Sequence, residues 1–197
     1  MQRKIREFIR AEELLALMFS ARTLDDYEEY WKDFLHKLDK GFNKLQDLYK
    51  DELRVKGVIN SIHLARKSDP LISYLMQARN SDEHSIRQIT ERVDGCTKLE
   101  GGVGGGVIVK GVIEGGKMPE GLVAAGNLKI EFQSEYLKII SVTCRGEKYD
   151  PPKISSDKGV LIHIPHQIAL IGLNFYLEKL ALIDKALLSK RQYRSSS

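Results

Sequence analysis

Arg79, Asn80, Glu83 and His84 bring a permanent cation, an amide, a carboxylate and an imidazole into one short stretch, DPLISYLMQARNSDEHSIR, residues 69–87. An imidazole that titrates near neutrality can take or give a proton in a reaction. A guanidinium can hold a phosphate and stabilise the charge that grows on it. The stretch reads as a helix. Asp69 is placed to cap it and Pro70 to be its first residue, where a missing N–H costs nothing. Leu71, Ile72, Leu75, Ala78, Ile86 and Ile89 recur at helical spacing and give it an apolar face. Asn80 and His84 share a face, as do Arg79 and Glu83. Arg79 follows Leu75 by four residues, at the edge of the apolar stripe, and a desolvated guanidinium there requires an anion. Glu83 on the same helix would supply one, worth only about 0.2–0.5 kcal/mol if the pair is exposed. A ligand phosphate would supply another.

Arg79-Asn80 followed at the required distance by His84 resembles the R-x4-6-H motif of HEPN-domain proteins, in which a polar residue commonly follows the Arg. The resemblance covers the helical parts of the chain. It implies an antiparallel helical bundle and a homodimer whose Arg and His meet at a cleft. It also implies metal-independent cleavage of RNA that leaves a 2′,3′-cyclic phosphate and a 5′-hydroxyl. On that reading His84 is the general acid or base, Arg79 holds the phosphate, Asn80 orients His84 or the phosphate, and Glu83 fixes Arg79. No cofactor or metal is called for. Five residues along a helix place Arg79 and His84 about 140° apart around its axis. One helix cannot aim both at a point, whereas two copies related by a two-fold axis can. Ile86 stands where toxin-type members paired with a nucleotidyltransferase often carry Tyr. The other expectations are a non-catalytic HEPN-like module that binds RNA, a nucleotide or a regulatory protein, and a structural helical protein of unrelated descent.

The rest of the chain must position those residues. Its 197 residues suffice for one domain, or one domain with a large insertion. A hydrophobic content of 42% with 29% charged residues is that of a globular protein. A net charge of +4 permits an RNA partner without demanding one. Met1–Lys4 lead into charged helix rather than an apolar run, and no apolar stretch is long enough to span a bilayer. Two cysteines, Cys96 and Cys144, suit a reduced, cytoplasmic setting and are too few for a structural zinc site.

In chain order, helices are expected over about 2–21, from the Thr23 cap to Tyr49, over about 52–67, and from Pro70 to Arg92 or Val93 with Gly95 as terminator. Tyr27, Tyr30, Trp31, Phe34, Leu38, Phe42, Leu45 and Leu48 mark the buried face of the second, and Gly41 within it points to a bend or a close crossing. His36 reads as a surface or boundary histidine. Composition changes at the glycine run 101–106, read as flexible. Strands are expected over Val107–Ile113, Asn127–Gln133 and Tyr136–Cys144, with Gln133-Ser134-Glu135 as a hairpin connection. Helix returns from Pro165 to about Lys190. The fold class is thus mainly α, α+β in full: a HEPN-like bundle from residues 1–100 and 153–197, with a small antiparallel β insertion over 101–152.

Two further motifs lead nowhere. Gly111 to Lys117 imitates the opening of a P-loop, but Met118 has no hydroxyl for magnesium and no helix is expected there. His163 and His166 flank Pro165 and could join Glu83 on a metal, but loop or helix-cap histidines explain them better.

Overall fold

A computed structural model describes residues 5–84, 88–103, 107–114, 128–153 and 163–188, leaving aside the side chains of 84, 97–103, 107–114 and 128–132. It is mainly helical, with small antiparallel sheet elements. The chain divides into two compact units, residues 1–90 with 139–197, and residues 91–138.

The first unit holds five helices: α1 (Arg6–Ser20), α2 (Leu24–Tyr49), α3 (Lys56–Ser68), α4 (Pro70–His84) and α5 (Pro165–Leu188). Each start has a local cause. Thr23 Oγ1 accepts the N–H of Asp26 at 3.0 Å and opens α2. Asp69 Oδ1 accepts the N–H groups of both Leu71 and Ile72 at 2.9 Å and opens α4 just ahead of Pro70. The third helix begins later than expected. Glu52 caps a single 3-10 turn, Leu53–Val55, through the N–H of Arg54, and α3 follows. Leu53 and Leu64 are exposed; Ile59 and Ile62 carry the buried face.

Aromatic residues fill the bundle core. Trp31, Phe34, Phe8 and Tyr176 are almost wholly buried, with the Phe8 and Tyr176 rings stacked at 5.5 Å. Leu48 is exposed and Leu35 and Tyr49 are buried in its place, so the apolar stripe of α2 drifts around the helix. Glu7 meets Lys44 and Phe8 meets Gly41, which sets α1 antiparallel to α2. A Cβ on Gly41 would lie 2.8 Å from Phe8 Cε1, so this glycine permits the close crossing its position suggested.

The motif helix is shorter than its apolar spacing implied. Its described span is Pro70–His84, and it does not reach Arg92 or Val93, since Thr90–Val93 is strand β1. Ile89 is buried as the pattern requires, but outside the helix, beside the buried Thr90. The β-branched Ile89, Thr90 and Val93 fit extended chain better than helix. Gly95 terminates no helix. A Cβ there would stand 2.9 Å from the Gln133 carbonyl oxygen, so the position serves a close approach of two chain segments. In the same unit as the bundle, β6 (Val142–Cys144) pairs antiparallel with β7 (Glu147–Tyr149), and a turn at Arg145–Gly146 with positive φ at both joins them. Ile139 and Val142 join the bundle core.

The second unit is built on strands. β2 (Cys96–Val103) lies between β3 (Val107–Glu114) and β4 (Leu128–Gln133), antiparallel to both, with Cys96 opposite Glu114 on one side and Gln133 on the other. β1 pairs with β5 (Tyr136–Ile139). The Gln133-Ser134-Glu135 connection is therefore not a hairpin: β4 pairs with β2 and β5 with β1. Gly101–Val103 belong to β2 rather than to a flexible run, and strand structure begins at Thr90, before the glycines. The expected Tyr136–Cys144 strand is broken at Ile140-Ser141 into β5 and β6. Gly104–Gly106 and Gly115–Lys117 lie outside the described residues, and Gly111 of the P-loop imitation sits within β3.

Candidate functional site

Helices α2 and α4 meet along a seam of charged side chains. His36 of α2 opposes Asp82 of α4, and one turn on, Asp39 opposes Arg79. The order 36-to-39 against 82-to-79 makes the helices antiparallel. Apolar residues on both helices face the core, so the charges are confined to the rim of the contact, where long side chains keep their heads near water.

Arg79 is the centre of this seam. Its side chain is 23% exposed. Its Nη1 pairs with Glu83 Oε2 one turn along α4 and donates to Asn80 Oδ1 at 3.2 Å. Its Nε lies 3.7 Å from Asp39 Oδ2, close enough for attraction but too far for a hydrogen bond, and makes none among the described residues. Asn80 in turn donates to Gln77 Oε1 at 3.4 Å, so its amide bridges neighbours on its own helix. His84 is the last residue of α4, and its side chain lies outside the described residues.

Asp39 ties α3 and α4 to α2. It accepts from Arg66 of α3 at its other oxygen, and from Asn43 at 3.3 Å. Arg66 is held on three sides: by Asp39, by the Tyr176 hydroxyl of α5 at 3.1 Å, and by the Phe42 ring 4.5 Å beneath it. Both members of the Asp39–Arg66 pair are nearly buried, at 12% and 13% exposure. Burial raises the Tyr176 hydroxyl above its usual range, so it stays protonated.

His36 forms the other half of the seam. Its Nε2 is 3.2 Å from Asp82 Oδ2, with both groups partly open to solvent. Lys32 stands 4.0 Å from the other Asp82 oxygen and pairs with Glu28 at 3.0 Å, which accepts from the Thr90 hydroxyl. A carboxylate fixing an imidazole is the usual way to orient a general base. Arg79, Asn80, Glu83 and His84 were the expected site residues; His36, expected at the surface or its boundary, lies there beside Asp82, and Asp39, Asp82 and Arg66 were not expected. One signal was available: Lys32, His36, Asp39 and Asn43 recur at helical spacing along one edge of α2.

His163 and His166 have structural posts. Tyr27 Oη accepts the backbone N–H of His166 at 3.1 Å and lies 2.8 Å from its Nδ1. Burial pushes the Tyr27 hydroxyl up to about 12, so it keeps its proton, and the His166 tautomer sets which of the two groups donates. His163 contributes its carbonyl, which accepts the N–H of Ile139 at 2.7 Å. Among the described residues no group of three or more His, Cys, Asp or Glu is placed to hold a metal ion, and no helix is long and apolar enough to cross a membrane. Cys96 and Cys144 are not joined.

What fold and site define together is a mainly helical protein with a charged seam along one helix contact. Comparison with protein-family models, curated proteins and solved structures found no match to the chain.

Proposed function

We propose that the protein is a HEPN-like ribonuclease that cuts RNA without a metal ion, with Arg79 at its active centre. The observation that carries this reading is the mounting of Arg79. Asp39 stands behind it on a second helix, while its Nη1 edge faces Glu83, which is 40% exposed. A guanidinium backed by one carboxylate and fronted by a more exposed one is the arrangement in which an incoming phosphate can take the place of the outer carboxylate.

In the reaction a general base removes the 2′-hydroxyl proton of the RNA. The 2′-oxygen attacks the adjacent phosphorus, and the 5′-oxygen leaves with a proton from a general acid. Arg79 holds the non-bridging oxygens as their charge grows. His84 is the acid or base that the motif assigns, acting across a dimer cleft. His36, oriented by Asp82 one turn from Arg79 on the same seam, is the acid or base that a single chain supplies. DNA lacks the attacking hydroxyl and resists.

A second reading rests on an observation of its own. Glu83 already occupies the Arg79 nitrogen that a phosphate would need, so the seam can serve a non-catalytic binding module. One experiment separates the readings: cleavage of a labelled mixed-sequence RNA in EDTA by wild type, His84→Ala and His36→Ala, with oligomer mass measured alongside. Loss of cutting in His84→Ala with a dimeric wild type supports the composite site; loss in His36→Ala supports the single-chain site. No cutting by wild-type dimer moves the protein to the binding reading, and a strict monomer removes the composite site.

A further inference from the structure

The groove between α1 and α2 lies apart from the seam and has a different character. It encloses about 560 Å³ and is lined by Arg6, Glu7, Ile9, Arg10, Glu13, Lys37, Lys40 and Lys44. The antiparallel helices make it two facing rails, Arg6 and Arg10 on one and the three lysines on the other. Five cations against two carboxylates leave it at +3, most of the +4 of the whole chain. Both carboxylates are already engaged: Glu13 pairs with Arg10 at 2.8 Å, and Glu7, 8% exposed, accepts from Lys44. Arg6, Lys37 and Lys40 have no ion pair within 4.0 Å among the described residues.

We infer that this groove binds a chain of linked phosphates, either a polyphosphate or the backbone of a nucleic acid strand. The lysine row runs about 10 Å along α2, which suits several charges in line rather than one. The lining offers only Ile9 as an apolar contact and no aromatic side chain. A protein partner would need a buried aromatic or aliphatic anchor, and base-reading would need a stacking surface. What remains is recognition of backbone charge, without sequence preference. The excess positive potential also acts on the wall: the Lys44 hydrogen bond, with Lys40 adding to it, holds the Glu7 carboxyl below its usual range.

The test measures binding, not turnover, so it stands or falls independently of the ribonuclease reading. A labelled DNA oligonucleotide of mixed sequence, which cannot be cut through a 2′-hydroxyl, is titrated with the full chain at several salt concentrations. Tripolyphosphate and a poly-glutamate peptide serve as competitors. With three phosphates neutralised, log K against log salt should have a slope of about −2, a loss of about twentyfold between 50 and 200 mM. Replacing Arg6→Gln, Lys37→Gln and Lys40→Gln together removes no described ion pair and should abolish both binding and slope, with an unchanged circular dichroism melt. Glu13→Gln frees Arg10 and should tighten binding. Competition by tripolyphosphate assigns a short phosphate chain as sufficient; competition only by oligonucleotide assigns the longer backbone. Absent binding, binding unaffected in the triple variant, or equal competition by poly-glutamate would each overturn the proposal.

Discussion

Asp39→Ala tests whether the α2–α4 seam is electrically buried. Asp39 faces Arg66, which is as little exposed as itself, and Arg79 at 3.7 Å. Removing the carboxylate strands two cations rather than one hydrogen bond. Breaking a buried pair by deleting one partner costs about 3–5 kcal/mol. The lower end applies here, because Arg66 keeps the Tyr176 hydroxyl and the Phe42 ring, and Arg79 keeps Glu83. A loss of about 3 kcal/mol lowers the melting temperature of a chain this size by about 6–12 °C. Urea unfolding followed at 222 nm gives the free energy directly, with Asp39→Asn as the neutral, same-shape control. On an Arg66→Met background no buried guanidinium remains at that position, so the same substitution should cost about 1–2 kcal/mol less. A cost of less than about 1 kcal/mol from Asp39→Ala alone would refute the argument, since the seam would then behave as a solvated surface pair.

Two further outcomes follow from the packing and the titrating groups. Gly41→Ala gains about 1 kcal/mol of helix propensity, but its methyl would press on the buried Phe8 ring, and overpacking costs about 1–3 kcal/mol; a net destabilisation of about 1 kcal/mol is expected in urea unfolding, and a stabilised variant would show that the α1–α2 crossing is looser than described. Burial lowers the titration of His166 below the usual imidazole range, near 6.5. A lowered folded value means full stability above the unfolded pKa and loss as pH falls through the folded one, because the partly buried site penalises the imidazolium. The melting temperature should therefore fall more steeply below about pH 6.5 in wild type than in His166→Gln, and matching pH profiles would remove His166 from the account.

The sequence by itself determined the local decisions, because local chemistry makes them. Thr23 and Asp69 could be read as caps, since the side chain that stops a helix from fraying lies within three residues of its partner. The burial of Trp31, Phe34, Phe42 and Leu45 followed from helical spacing, and the crossing at Gly41 from a glycine in an otherwise strong helix. Arg79 at an apolar edge announced that it would need an anion.

Tertiary structure decided which anion, and what else stands beside it. Asp39 is forty residues from Arg79 and Asp82 is forty-six from His36; no local pattern couples them until α2 and α4 lie antiparallel. Strand pairing was illegible for the same reason. Gln133-Ser134-Glu135 has the length of a hairpin, but β4 finds its partner in β2 and β5 in β1, and those long-range hydrogen bonds outweigh the short connection. The end of α4 belongs with them: Ile89 satisfies a helical and an extended pattern equally, and only the pairing of β1 selects extended chain for the residues that follow it.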